Sequence, residues 1–317
     1  MKYLNIFGRN FILIIIAAIG IYSVFLIFSD INSVYDKLSN FDWKFLPLIL
    51  LTIFCAWIIL FILWEVILRS HDIHIPFKDN LLIYLAGFTL SITPLKSGEL
   101  IKSILLKNKF NVKRTVSAPL VLTERFYDIL GTIIVALAGI FFLGFEYLPV
   151  ISVALVLTFL IIFSIYSKSN FQYVLRFINK FQFLQKFSSS LENSQDILRN
   201  SLSKKTIFVS CSLTVLFRLM EGIGIYFVLL SLGIDVMDYF ELVTTYSMSV
   251  ILGSISMSPG GLGVTEGSLA GLMSLHGLEL STALVVAIII RFFTLWYGIG
   301  VGFIALRLSR GLDINTN

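Results

Sequence analysis

The chain has 317 residues, of which 57% are hydrophobic and 14% charged, with a formal net charge of +5 and a mean hydropathy of +0.92. Soluble domains carry about 25% charged residues, so this composition argues against a soluble globular enzyme, and its apolar content excludes a disordered chain. The modest positive charge gives no reason to expect a nucleic-acid partner. One polytopic membrane domain covering 1–317 fits the length; a second sizeable domain does not. Cys55 and Cys211 lie in apolar runs, and His71, His74 and His276 lack ligand spacing, so neither disulfide, metal nor cofactor is expected.

A spanning helix needs about 20 mostly apolar residues. Residues 11–28 follow Lys2 and Arg9 with no small-residue cleavage site after them, and read as a retained first span. Residues 45–64 give the second. The apolar stretch 80–94 ends at Pro94 and reads as too broken to cross. Residues 129–145 and 147–167 are two further spans, hinged near Leu148-Pro149. In the polar interlude 167–205, Phe171, Val174, Ile178, Phe181, Leu184, Phe187 and Leu191 recur at helical spacing among Lys and Arg. It reads as an amphipathic cytoplasmic connector, either a linker between halves or a basic face that recruits anionic lipid. Spans 206–232 and 280–306 complete six, while 242–265 is broken at Pro259. The expected fold class is therefore an all-α polytopic membrane protein with about six spans and two re-entrant broken-helix hairpins.

Orientation follows from the positive-inside rule. With the N-terminus inside, the inner segments hold Arg69, Lys78, Lys107, Lys109, Lys113, Arg114, Lys168, Arg176, Lys180, Lys186, Arg199, Lys204 and Lys205, against only Lys37 and Lys44 outside. Both termini are expected inside.

Two segments resemble each other. Ser91-Ile92-Thr93-Pro94, Gly98-Glu99 and Arg125-Phe126-Tyr127 recur as Ser256-Met257-Ser258-Pro259, Gly263 with Glu266, and Arg291-Phe292-Phe293. An odd number of crossings separates them, so the repeats are inverted: 45–145 with a hairpin at 80–106, and 206–308 with a hairpin at 242–276. Inverted repeats with broken helices place a transporter's binding site near the midplane; the bland reading is a duplication kept for packing symmetry. Pro94 and Pro259-Gly260-Gly261-Leu262-Gly263 leave backbone groups that need protein or a water-filled cavity to satisfy them. Free N–H groups at the half-helix starts suit an anionic headgroup, and the glycines let a ligand approach the backbone.

Nine charges fall in or beside apolar segments: Glu65, Glu99, Glu124, Arg125, Asp128, Arg218, Glu221, Glu266 and Arg291. Each would cost about 2.5–3.5 kcal/mol facing lipid at a helix centre, so they pair or line a polar cavity. Arg218 with Glu221 and Arg125 with Asp128 stand three apart on one helix and can neutralise each other. Glu124 pairs elsewhere or marks a helix entrance, and Glu65 can snorkel from its span's inner end. Arg291 has no acid within a turn, so its partner is tertiary, with Glu266 and Glu99 as candidates. Either these are structural ion pairs or Glu99, Arg125, Glu266 and Arg291 build one central site in which Arg takes phosphate.

The string Ser258-Pro259-Gly260-Gly261-Leu262-Gly263-Val264-Thr265-Glu266-Gly267 resembles the signature of the lysylphosphatidylglycerol synthase transmembrane region, a flippase-like membrane family. Gly98-Glu99 and Thr123-Glu124-Arg125-Phe126-Tyr127-Asp128 resemble further elements of it, and the resemblance covers nearly the whole chain. It implies a multi-pass protein of a bacterial or archaeal cell membrane. Some members move aminoacylated phosphatidylglycerol between leaflets; others are linked to glycosyltransferases using polyprenyl-phosphate lipids. Bifunctional members carry a soluble aminoacyl-transferase domain after the membrane part. This sequence ends eleven residues after Leu306, so it is not expected to make lysylphosphatidylglycerol itself.

The expected activity is lipid translocation without catalysis, with an anionic, aminoacylated or polyprenyl-phosphate headgroup as partner. Substrate-binding candidates are Glu99, Arg125, Glu266, Arg291, Gly98, Gly260, Gly261, Gly263, Arg218, Glu221, Glu124 and Asp128, with helix breaks at Pro94 and Pro259. No nucleotide-binding loop is present in the sequence, so transport is passive or ion-coupled, with Glu99 or Glu266 as proton carriers. The alternatives are a membrane enzyme acting on lipid-linked substrates, an accessory subunit of a separate glycosyltransferase, or a small-solute transporter. A homo-oligomer is left open.

Overall fold

The computed structural model describes residues 39–93, 96–143, 148–166 and 195–309, together with positions 20, 170, 172, 173 and 176. The expected span at 11–28, the break residue Pro94 and most of the connector 167–205 lie outside the described residues. Among the described residues every regular element is helical.

Helix α1 (Leu46–Arg69) follows a short 3-10 turn and carries Pro47 in its first turn, where no hydrogen bond is lost. Helix α2 (Phe77–Gly87) tightens into a 3-10 turn at Phe88–Leu90. After the break a second turn, Ser97–Leu100, leads into α3 (Ile101–Phe110), which Asn111 ends in the left-handed conformation. Then follow α4 (Arg114–Leu143), α5 (Leu148–Tyr166), α6 (Gln195–Ser201) and α7 (Lys204–Ser231). Helix α8 (Tyr239–Ile255) starts on a reciprocal cap: the Asp238 carboxylate accepts from Glu241 N–H and the Glu241 carboxylate from Asp238 N–H, each at 2.9 Å. A second break precedes α9 (Val264–Leu275). Helix α10 (Leu280–Arg291) continues through a π-helical turn, Phe292–Trp296, into α11 (Tyr297–Ser309).

Among the described residues three segments are long and apolar enough to cross a membrane: Trp43–Arg69, Lys205–Ser231 and Leu280–Ser309. Over residues 129–143, the span expected at 129–145 is the second half of a longer helix. Helix α4 begins at Arg114, so Glu124, Arg125 and Asp128 lie within its body. A hydropathy window stops at those charges because it cannot register partners on other helices.

Helices α1 and α7 run antiparallel, tied where Asp42 N–H donates to Ser231 O at 2.8 Å. Helix α4 packs on α8, with Gly139 receiving Thr244, and α11 packs on α2, with Gly302 receiving Thr89. A methyl group at either glycine would overlap its neighbour, so the small residue sets the helix separation. Helix α3 lies on α4 and α9 on α10. The first arm of each broken pair thus rests on the long helix that follows the other break.

The two breaks meet. Gly260, at φ +60°, would place a Cβ 3.2 Å from Ile92 Cα, and Ile92, Leu262, Leu295 and Ile299 form a small buried cluster there. At one end of the bundle, Lys109 Nζ donates to Asp79 Oδ1 at 2.7 Å and to Ser309 O at 3.3 Å, gathering α2, α3 and α11. Tyr127 O–H donates to Ser201 O at 2.7 Å and anchors α6 to α4.

Candidate functional site

A cavity of about 590 Å³ lies between α1, α4, α5, α7, α8 and the two breaks, within the usual size of a small-ligand site, about 300–1,000 Å³. Lys96, Glu99, Arg125, Asp128, Arg218 and Glu221 form one charged wall, and Arg291 faces it from the other half. The flank is apolar and reaches the outside of the bundle: Ile129, Leu160, Ile255 and Met257 line the cavity yet are 38%, 51%, 38% and 51% exposed.

The charged wall is one continuous network across four elements, the turn Ser97–Leu100, α3, α4 and α7. Lys102, fully buried on α3, donates through Nζ to Glu124 Oε2 and lies 3.3 Å from Glu99 Oε2. Its ammonium also lies 4.8 Å from the Trp64 ring and 5.1 Å from the Tyr84 ring. Arg125 reaches Glu124 Oε1 at 2.7 Å, Glu99 Oε2 at 3.1 Å and Asp128 Oδ2 at 3.2 Å. Asp128 also receives Arg218 Nη2 from α7 at 2.8 Å. Arg218 further reaches Glu221 at 2.7 Å and donates from Nε to Thr132 Oγ1 at 2.8 Å. Lys96 is the loosest member, 3.9 Å from Asp128 with its side chain 42% exposed. The pairings Arg125–Asp128 and Arg218–Glu221 both form, but Asp128 joins them into one chain.

On the second half, Arg291 Nε donates to Glu266 Oε1 at 2.9 Å and Arg291 Nη2 to Gly260 O. Glu266 Oε2 accepts from Gly263 N–H at 2.7 Å. Of the two tertiary partners expected for Arg291, Glu266 is the one it meets; Glu99 pairs with Arg125 and Lys102 instead. The reason is local: Glu266 sits in the first turn of α9, which packs on α10.

Gly260 and Gly261 line the cavity with these residues, whereas Glu124, Glu266, Gly98 and Gly263 stand behind the wall. Three of the expected features make specific contacts. Gly260 admits the other break's backbone at Ile92 while also lining the cavity, and Gly98 admits Leu90. Hairpin N–H groups expected to meet an anion already have partners. Gly98 donates to Thr93 Oγ1 at 2.6 Å, Gly261 to Ser258 O at 3.0 Å, Leu262 to Pro259 O at 3.0 Å and Gly263 to Glu266. Glu65 does not simply snorkel, because it holds Arg69 at 2.6 Å and accepts from buried Asn80, which also accepts from Trp64 Nε1–H at 3.0 Å.

Sequence reading missed Lys96 and Lys102. Lys102 stands three residues after Glu99, the same spacing that exposed the other helix pairs. Lys96 and Met257, one in each break, both adopt left-handed backbone (φ +52° and +54°) and both line the cavity. Such non-glycine conformations cost about 1–3 kcal/mol each and concentrate at functional sites.

The profile of the family described as Lysylphosphatidylglycerol synthase TM region matches residues 15–302. Similar chains include a UPF0104 membrane protein of Pyrococcus horikoshii, 22% identical over 96% of this chain and 99% of that one. Another, from Methanocaldococcus jannaschii, is 26% identical over 64% of this chain and 86% of its own length. A third, from Methanothermobacter thermautotrophicus, is 24% identical over 71% and 72% respectively.

Proposed function

The chain belongs to the lysylphosphatidylglycerol synthase TM region family, and from that premise we propose that it is a membrane lipid translocase of the cell membrane. The carrying observation is the cavity, charged on its inner wall and apolar where it reaches the outside of the bundle. A headgroup sits against the Lys96, Arg125 and Arg291 walls while the acyl chains leave past Ile129, Leu160, Ile255 and Met257. A small-solute transporter would gain nothing from that flank.

The reading takes α2–α3 and α8–α9 as re-entrant hairpins of an inverted repeat, within six spans and with both termini inside. Their crossed packing, α2 on α11 and α8 on α4, supports it. So do the paired ions: Glu99–Arg125 at 3.1 Å in one half and Glu266–Arg291 at 2.9 Å in the other. Alternate exposure of the cavity to the two leaflets moves the headgroup, and no bond is made or broken.

The test is leaflet exchange of acyl-labelled phospholipids in liposomes containing the purified protein, with and without a pH gradient. Exchange that is present in the wild type and lost in Arg291→Ala supports translocation. No exchange of any lipid by folded protein refutes it and turns attention to an enzyme or an accessory subunit of a glycosyltransferase.

A further inference from the structure

We propose that the preferred headgroup is a zwitterion bearing one phosphate and one protonated amine, rather than an anionic or a sugar headgroup. This rests on the translocase reading of the cavity and narrows its substrate class.

The first ground is charge balance. Among the described residues of the ion networks in and directly behind the cavity wall, the cations Lys96, Lys102, Arg125, Arg218 and Arg291 are matched by the carboxylates Glu99, Glu124, Asp128, Glu221 and Glu266. A ligand of net charge entering such a site must pull one ion from its partner and leave another uncompensated, which is expensive away from water. A ligand carrying both signs can exchange partners without leaving an ion alone.

The second ground is a pair of orphaned groups of opposite character. Glu99 is 1% exposed and lines the cavity; its Oε2 is ion-paired with cations at 3.1 and 3.3 Å, but its buried Oε1 has no partner among the described residues. Arg125 lines the same wall, and its buried Nε–H has no acceptor among the described residues. Buried polar groups are nearly always paired. One orphan asks for a donor and its neighbour for an acceptor. An ammonium donating to Glu99, joined by a short spacer to a phosphate accepting from Arg125 Nε, meets both. Lys96 is placed as the second phosphate donor, since it is the least engaged cation.

The third ground is that break N–H groups at Gly98, Gly261, Leu262 and Gly263 are already used. Those four N–H groups therefore offer an anion no nest. A sugar hydroxyl could fill either orphan, but charge-assisted hydrogen bonds are about twice as strong.

The experiment uses full-length protein in liposomes and four tail-labelled lipids differing only in headgroup: phosphoethanolamine, phosphoglycerol, lysyl-phosphoglycerol and an uncharged glycosyl group. Phosphoethanolamine exchange is expected to exceed each of the others by at least about tenfold, the factor that one charge-assisted hydrogen bond supplies. Glu99→Gln removes one negative charge, so its preference should swing to phosphoglycerol. Selectivity is a ratio within one preparation, so partial loss of active protein cancels. Equal or faster exchange of the phosphoglycerol, lysyl or glycosyl lipid by the wild type overturns the zwitterion assignment while translocation stands. An unchanged preference in Glu99→Gln overturns the role given to Glu99. Absence of exchange for all four lipids removes the translocase reading, and this inference with it. Should Glu99→Gln fail to fold, the wild-type series alone decides.

Discussion

Lys102→Met tests whether the inner wall is a desolvated ion network. Methionine keeps an unbranched side chain in the slot between Trp64 and Tyr84 but removes the charge. Glu124 and Glu99 would then share Arg125 as their remaining ion-pair partner, at 2.7 and 3.1 Å. Removing one partner from a buried pair costs about 3–5 kcal/mol, and loss of the aromatic contacts adds about 0.5–2 kcal/mol. Lys102→Met/Glu124→Gln removes the exposed imbalance, so the double variant should be more stable than the sum of the singles by about 0.5–3 kcal/mol. Reversible unfolding in mixed micelles, followed by tryptophan fluorescence, reads this directly. A Lys102→Met cost within about 0.5 kcal/mol, the range of ordinary surface substitutions, would refute the buried-network reasoning, as would strict additivity.

Arg291→Lys should lose most exchange activity along with Arg291→Ala, because one ammonium cannot reproduce a fork that holds both Glu266 and the Gly260 carbonyl; lysine activity equal to wild type would show that only charge matters. Gly139→Ala should destabilise by about 1–3 kcal/mol through overpacking against Thr244, and Thr244→Ala introduced beside it should recover part of that in the same unfolding assay. Gly260→Ala and Gly233→Ala both meet positive φ, at about 1–2 kcal/mol, but only Gly260 faces Ile92. The Gly260 variant should therefore cost more and slow exchange, and equal costs would dismiss the contact between the breaks. Thr158→Trp, in the cavity wall on α5, should block exchange with little change in folding, measured by the two assays together.

Much of this was legible from residue types alone. Glu99, Arg125, Glu266 and Arg291 stand out because apolar segments rarely carry ions, and Arg218–Glu221 is readable from helical spacing. What was hidden was tertiary. Hydropathy averaged over a window places the start of an apolar span at residue 129, although α4 runs from Arg114, because the energy that admits Glu124 and Arg125 comes from Lys102 and Glu99 on other elements. Lys102 escaped notice for the complementary reason: it falls in the second half of the hairpin at 80–106, where nothing in the sequence signals that its ammonium has no exposed surface. The glycines of the second break read as room for a ligand; Gly260 lines the cavity and also makes room for Ile92. A sequence shows that a side chain is missing and leaves open what approaches.

The balanced wall has an electrical consequence. Carrying one elementary charge through a membrane potential of 100 mV is worth about 2.3 kcal/mol. A set of ions whose charges cancel moves as a neutral body, so voltage neither drives nor opposes rearrangement of the two breaks around an empty cavity. Any steady current during turnover is then carried by the lipid or by a co-transported ion, and its sign reports the charge of the cargo.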